Sequence, residues 1–385
     1  MDRRDFLGRA ALAGAGAGAM AWRPEAAGAA EGPRGSAGTN GAPAAPPGPQ
    51  LDPNDRSPDR DPLEVQRATL VVEARDSGSD TPDQLERLRR GAVDCSIVDR
   101  GGVAGIGASL AFLDEHSGTI AQARTVREMR EIHREGKIAR VFHFQGPSAL
   151  EREDDWRGAL RGYYEAGLRI SAVALNVAGR FGGGCTDPHI GLSGAGRELV
   201  EEIHRMGIVL DIAGHTGDQT SFDALEISRG VPVVCSHTNA RALVDNPRNI
   251  SDRLAEAIAE TGGVIGITAV SDFHIRTRHD VARRTMPQVS LEKHLDQYDY
   301  FKELVGPDHI GLGIDNIEGR ILLSLADHPE MYSDPREFYY IEDFESIAQL
   351  PNMTRGLIRR GWSNAELWKL LGQNWLRVYE QVWGA

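Results

Sequence analysis

The sequence predicts a (β/α)8 TIM-type barrel, and three observations carry that prediction. From about residue 63 onward, short apolar runs rich in β-branched residues alternate with amphipathic stretches of helical period. Eight such runs fit into about 320 residues, the usual scale of an eight-stranded barrel with its outer helices. No glycine-rich phosphate loop follows the first run, which argues against a doubly wound open sheet.

Residues 1–21 carry Arg3 and Arg4 ahead of Phe6 and Leu7, then a weakly apolar Ala/Gly run with Ala19 and Ala21 flanking Met20. This pattern resembles a twin-arginine export signal cleaved near Ala21 and implies an extracytoplasmic, periplasmic location. Residues 22–62 are dense in Pro, Gly, Ala and Asp and are expected to form a disordered tether to a barrel spanning 63–385. The net charge of −13 and the lack of a long basic run exclude nucleic acid and anionic membrane surfaces as natural partners. No apolar stretch approaches the roughly 20 residues of a membrane span. Cys95, Cys185 and Cys235 have no zinc-ribbon spacing, and their odd number prevents full internal pairing.

The eight expected strands are 69–73, 93–98, 139–144, 168–175, 208–212, 231–235, 263–268 and 309–313. Helices are expected over 119–135, 155–166, 195–206, 218–229, 251–260 and 291–305. Near the C-terminus, Ser363 with Glu366 three residues on forms a capping box, and the Trp, Leu and Val positions beyond repeat at helical spacing to pack on the barrel.

Chemistry gathers at the strand ends, where parallel α/β folds keep their ligand groups. His215 follows 208–212 and His237 follows 231–235, with one helix between them, so both imidazoles reach the same barrel edge. Two histidines there favour a metal or acid–base site over a structural role. Alternation assigns Glu73, Arg75 and Ser77 to one face of the first strand, and His143 and Gln145 to one face of the third. Asn176 follows the fourth strand and Asp315 the eighth.

The segments GRELVEEIHRMGIVLDIAGH (196–215), PVVCSHTNARAL (232–243), PRNISD (247–252), GPDHIGLGIDNIEG (306–319) and RRGWSNAELWKLLGQNWLRV (359–378) resemble the membrane (renal) dipeptidase family of zinc peptidases, within the amidohydrolase superfamily. The resemblance implies a barrel with two bridged zinc ions that hydrolyses dipeptides, with His215, His237, Asp315 and Arg248 matching the family and Arg248 and Asn176 contacting substrate. Three departures stand beside it. The family's His-x-Asp pair on the first strand matches Arg75 and Ser77, its bridging glutamate matches Gln145, and a substrate-contacting histidine matches Leu175.

A guanidinium cannot deprotonate, so Arg75 sets a permanent positive charge where the first ion would sit. The expectation is therefore one zinc ion on His215, His237 and the Gln145 oxygen, with Asp315 as general base toward a metal-activated water. Two ions stay open if Glu73, Asp76 or Asp80 takes the missing carboxylate's place. The function expected is hydrolysis of a dipeptide or related small amide. A non-catalytic ligand-binding protein with a degraded zinc site is the alternative, and a homodimer is left open.

Overall fold

The computed structural model describes residues 49–277, 289–315, 331 and 341–384. The twin-arginine segment and the tether up to residue 48 lie outside the described residues. Residues 49–61, read as the end of the tether, lie against the C-terminal helices. There Asn364 N donates to Asp55 O (3.2 Å), Ala365 N to Pro53 O (2.8 Å) and Asn364 Nδ2 to Asp52 O (2.7 Å).

Among the described residues, nine parallel strands form the sheet: β1 Val72–Asp76, β2 Cys95–Asp99, β3 Ile120–Gln122, β4 Ile138–Phe144, β5 Leu168–Ala172, β6 Val209–Asp211, β7 Val233–Thr238, β8 Ile265–Ile267 and β9 Ile310–Leu312. Eight of them run in the order β1-β2-β4-β5-β6-β7-β8-β9, and β3 pairs beside β4. Across the remaining gap Asp315 N donates to Arg75 O (3.0 Å), so the ends of β9 and β1 meet and the barrel is nearly closed. This is the predicted (β/α)8 fold, with local differences that include two in the stretches between β2 and β6. The expected helix 119–135 is strand β3 followed by a helix Val126–Arg134, capped by Thr125 onto Glu128 N. The expected strand 168–175 stops at Ala172, and Asn176 takes φ +60°.

Sheet residues divide into two layers. Val71, Val98, Phe142, Leu168, Leu210, Val233, Ile265 and Ile310 pack with the surrounding helices. Val72, Ala74, Cys95, Ile97, Ala139, Val141, Ile170, Val209 and Val234 form a second cluster with Trp375 and Tyr379. Each fully buried aliphatic side chain in these layers contributes about 1.5–3 kcal/mol. The C-terminal helix Asn374–Trp383 supplies a stacked Trp375–Tyr379–Trp383 series, with centroid separations of 5.9 and 4.4 Å. Trp375 Nε1 donates to Leu312 O of β9 and Trp383 Nε1 to Arg169 O of β5, both at 3.1 Å, so this helix ties together strands well apart in the sheet order. Gly311 makes this possible, since a Cβ there would lie 2.3 Å from the Trp375 indole nitrogen. The capping box at Ser363 and Glu366 forms as expected. All three cysteines are buried, and no described helix is long and apolar enough to cross a membrane.

Candidate active site

Strand β7 runs through Thr238, so His237 belongs to the strand, while His215 sits four residues beyond the end of β6. Their Nε2 atoms are 2.9 Å apart. The far nitrogen of each ring is engaged. His215 Nδ1 donates to Asn176 Oδ1 (2.7 Å), and Asn176 N donates back to His215 O (3.1 Å). Behind His237, Ser236 Oγ donates its single proton to Asp211 Oδ2 (2.6 Å), so it can only accept from His237 Nδ1 (2.8 Å). Both Nε2 atoms therefore carry lone pairs and face one another. Burial holds both imidazoles well below their ordinary pKa. For His215, Arg248 and then Arg75 add to this, and for His237 the neighbouring His215 comes before Arg248 and Arg75. Two neutral nitrogen donors aimed at one point are in electrostatic conflict unless a cation or a donor lies between them, and that donor set suits a divalent metal ion.

Asn176 was expected at the substrate. Its side chain instead fixes the tautomer of His215, a role that the αL conformation allows an Asn to take with little strain. Asp211 and Ser236, which hold the His237 ring, were missed by sequence reasoning, although an Asp inside the apolar run IVLDI was a usable signal. Below them His143, fully buried, brings Nε2 to 2.9 Å from Asp211 Oδ2.

Arg248 is fully buried, its Nη2 3.1 Å from His215 Nε2 and its guanidinium carbon 4.9 Å from the centre of the Phe273 ring. Gly214 leaves it room: a Cβ there would lie 2.0 Å from Arg248 O and 2.5 Å from its Nη1.

The β1 side differs from the expectation of simple alternation. A register irregularity between Glu73 and Asp76 breaks the pleat. Glu73, only 1 % exposed, turns to the closing seam, where its Oε1 accepts from Arg75 N (3.0 Å) and Ile314 N (2.8 Å). Burial, more than any neighbour, pushes its carboxyl up to about 8. Asp76 accepts from Gly78 N, Gln84 Nε2, Ser96 Oγ and Arg140, and Asp80 is paired with Arg100 at 2.8 Å. All three of these carboxylates, the expected alternatives for a second metal position, are engaged away from the imidazole pair.

Arg75 and Ser77 both reach Asp315. Ser77 Oγ donates to Asp315 Oδ1, and Arg75 Nε lies 3.4 Å from the same oxygen. Asp315 Oδ2 is 3.9 Å from His237 Nε2, so the carboxylate lies beside the imidazoles and not across the mouth from them. Asp315 is itself an αL residue, at φ +56°. Gln145 was expected to offer its oxygen as a third metal ligand. That oxygen instead accepts from Arg75 Nη2, and the amide nitrogen is turned to His215 Nε2. The reason is donor chemistry: a guanidinium has no acceptor, so it claims the amide oxygen and leaves the NH2 for the imidazole lone pair. Among the described residues, no three His, Cys, Asp or Glu side chains converge as a ligand cluster.

A family model described as membrane dipeptidase, peptidase family M19, matches residues 103–330 and 333–384. An uncharacterized protein in the pqqA 5′ region of Klebsiella pneumoniae is 29 % identical over 285 residues, which are 72 % of this chain and 94 % of that protein. Dipeptidase tcpJ of Claviceps purpurea is 26 % identical over 70 % of this chain, which spans only 57 % of that dipeptidase's length. Among solved structures, an amidohydrolase from Pseudomonas aeruginosa superposes with a TM-score of 0.76 at 26 % identity, over 85 % of this chain and all of that one.

Proposed function

The chain belongs to the membrane dipeptidase family, peptidase family M19, and from that premise we propose that it is a metal-dependent hydrolase of dipeptides or related small amides that works with one metal ion, zinc. The observation that carries this reading is the pair of Nε2 lone pairs of His215 and His237, 2.9 Å apart, each with its other ring nitrogen held. These two nitrogens would hold the ion. When bound, the ion supplies Lewis acidity toward the amide carbonyl and lowers the pKa of water.

The remaining steps belong to the chain's own side chains. Asp315 Oδ2, beside His237, takes the proton from the attacking water, while Oδ1 is held by Ser77 and Arg75 so that the carboxylate keeps its aim. Arg248 offers a buried guanidinium to a substrate carboxylate. Asn176, Ser236 and Asp211 position the two imidazoles. Among the described residues, the groups at hand for a second ion on the β1 side are Arg75, Ser77 and the Gln145 amide, which bring a fixed cation and neutral groups in place of carboxylate or imidazole ligands.

One observation favours a second reading, a non-catalytic ligand-binding protein. Arg75 pairs with Asp315 and draws off the Gln145 oxygen, which engages the base in the protein's own contacts. The deciding experiment measures zinc content and turnover together on purified full-length protein, with zinc supplied and a panel of L,L- and L,D-dipeptides and N-acyl amino acids. One equivalent of zinc with turnover of some member supports the hydrolase. Zinc bound without turnover of any member supports the binding protein, and two equivalents would overturn the single-ion reading.

A further inference from the structure

Resting on the reading of the mouth as an amide hydrolase site, we infer that its substrates carry no free ammonium group beside the scissile bond: they are N-acyl amino acids, above all those whose acyl group bears a second carboxylate, and not zwitterionic dipeptides. The basis is the balance of donors and acceptors around the imidazole pair. Arg75, 8 % exposed, and Arg248, fully buried, present guanidinium N–H groups, and the Gln145 amide presents its nitrogen. These groups donate only.

On the acceptor side little remains among the described residues. Asp315 Oδ1 already accepts from Ser77 and lies against Arg75, and Asp315 Oδ2 faces His237. The Gln145 oxygen is taken by Arg75. Glu73, Asp76 and Asp80 are committed to the closing seam, to Gln84, Ser96 and Arg140, and to Arg100. An ammonium brings three more donors and a positive charge to a corner already holding the fixed charge of Arg75, in a setting where water screens poorly. An acyl carbonyl or a carboxylate brings acceptors. Hydrolysis of such a substrate breaks the acyl C–N bond. The water oxygen goes to the acyl carbon and a proton goes to the leaving nitrogen, giving a carboxylic acid and a free amino acid.

Three amides with the same leaving group, N-succinyl-L-alanine, N-propionyl-L-alanine and L-alanyl-L-alanine, isolate the effect. On zinc-supplied full-length protein, kcat/KM is expected to fall in that order, with succinyl over alanyl by at least about tenfold, and the gap should narrow in high salt. Arg75→Met should compress the three to within about threefold, and Arg75→Lys, which keeps the charge, should restore the order; thermal melts check that both variants fold. L-alanyl-L-alanine turned over as well as, or better than, the succinyl compound would overturn the inference. If nothing is turned over, the hydrolase reading fails on its own. Calorimetric binding of the same three compounds then decides the inference: the same order supports it, and equal, reversed or undetectable binding overturns it.

Discussion

The two sides of the barrel mouth use opposite means to hold their charges. On the β5–β7 side, His215 and His237 are neutral bases, and a sphere of Asn176, Ser236 and Asp211 holds each ring so that its lone pair faces inward. On the β1–β4 side, Arg75, Ser77 and Gln145 are drawn into the protein's own contacts, a guanidinium between a carboxylate and an amide. On the first side the Arg248 guanidinium meets an imidazole nitrogen of that pair, and on the second the Arg75 guanidinium lies against a carboxylate and an amide oxygen. The difference teaches that a metal-donor site need not be kept or lost as a whole. Each side answers to its own supporting contacts, and on the single-ion reading proposed above the fixed guanidinium closes one side while the other stays open to an ion.

The largest expected effect comes from the group where the two sides meet. Asp315→Asn keeps the size and removes the charge, so turnover of any substrate should fall by about 10²–10⁴-fold, with zinc content nearly unchanged. Steady-state rates and elemental analysis on the same sample check this. Full activity in that variant would remove Asp315 from the chemistry.

Next in size is the difference between the supporting spheres. Ser236→Ala frees His237 Nδ1 from its acceptor and should weaken zinc binding by about 10–100-fold in competition with a chromophoric chelator. Ser77→Ala, on the guanidinium side, should leave zinc affinity within about twofold of wild type by the same argument. Equal losses in the two variants would erase the distinction between the sides.

A third change tries to make the sides alike. The triple variant Arg75→His, Ser77→Asp, Gln145→Glu replaces the fixed cation with donors and should raise zinc from one equivalent per chain to two. A stoichiometry still at one would mean that some other feature of the β1 corner keeps the second ion out.

A separate effect, on stability and away from the chemistry, concerns Glu73, whose burial at the closing seam costs stability when it is charged. Its folded pKa of about 8 lies above the ordinary value of 4.5, so the folded state holds this proton more tightly than the unfolded state does. Stability should therefore decline as pH rises from about 4.5 to about 8 and level off above. Glu73→Gln removes that decline. Calorimetric melts should find its gain over wild type greatest near pH 8.5 and absent at pH 4.5. A gain that is the same at both pH values would mean that the carboxyl stays ionised in the fold.

Much of this molecule is written locally in its chain. Apolar runs such as 208–212 and 139–144, bounded by glycine or polar residues, mark strands because a buried parallel strand needs little else. Ser251, Ser290 and Ser363 announce helix starts because a cap acts within three residues. Strand β3 escaped because three residues, Ile120–Gln122, are too few to set a period before the helical pattern takes over. The residues at the strand ends, His215, His237 and Asp315, follow from where those runs stop.

What the chain alone determined, then, is the barrel, its edge and the residues delivered there. Where their atoms point was decided only by the tertiary structure. The Gln145 oxygen goes to Arg75, the Asn176 oxygen to His215, the Glu73 carboxyl to the seam, and Ser77 to Asp315. These partners stand 70, 39, 241 and 238 residues apart. A local pattern records burial and period, but the direction of a hydrogen bond depends on which donors and acceptors the closed barrel brings face to face.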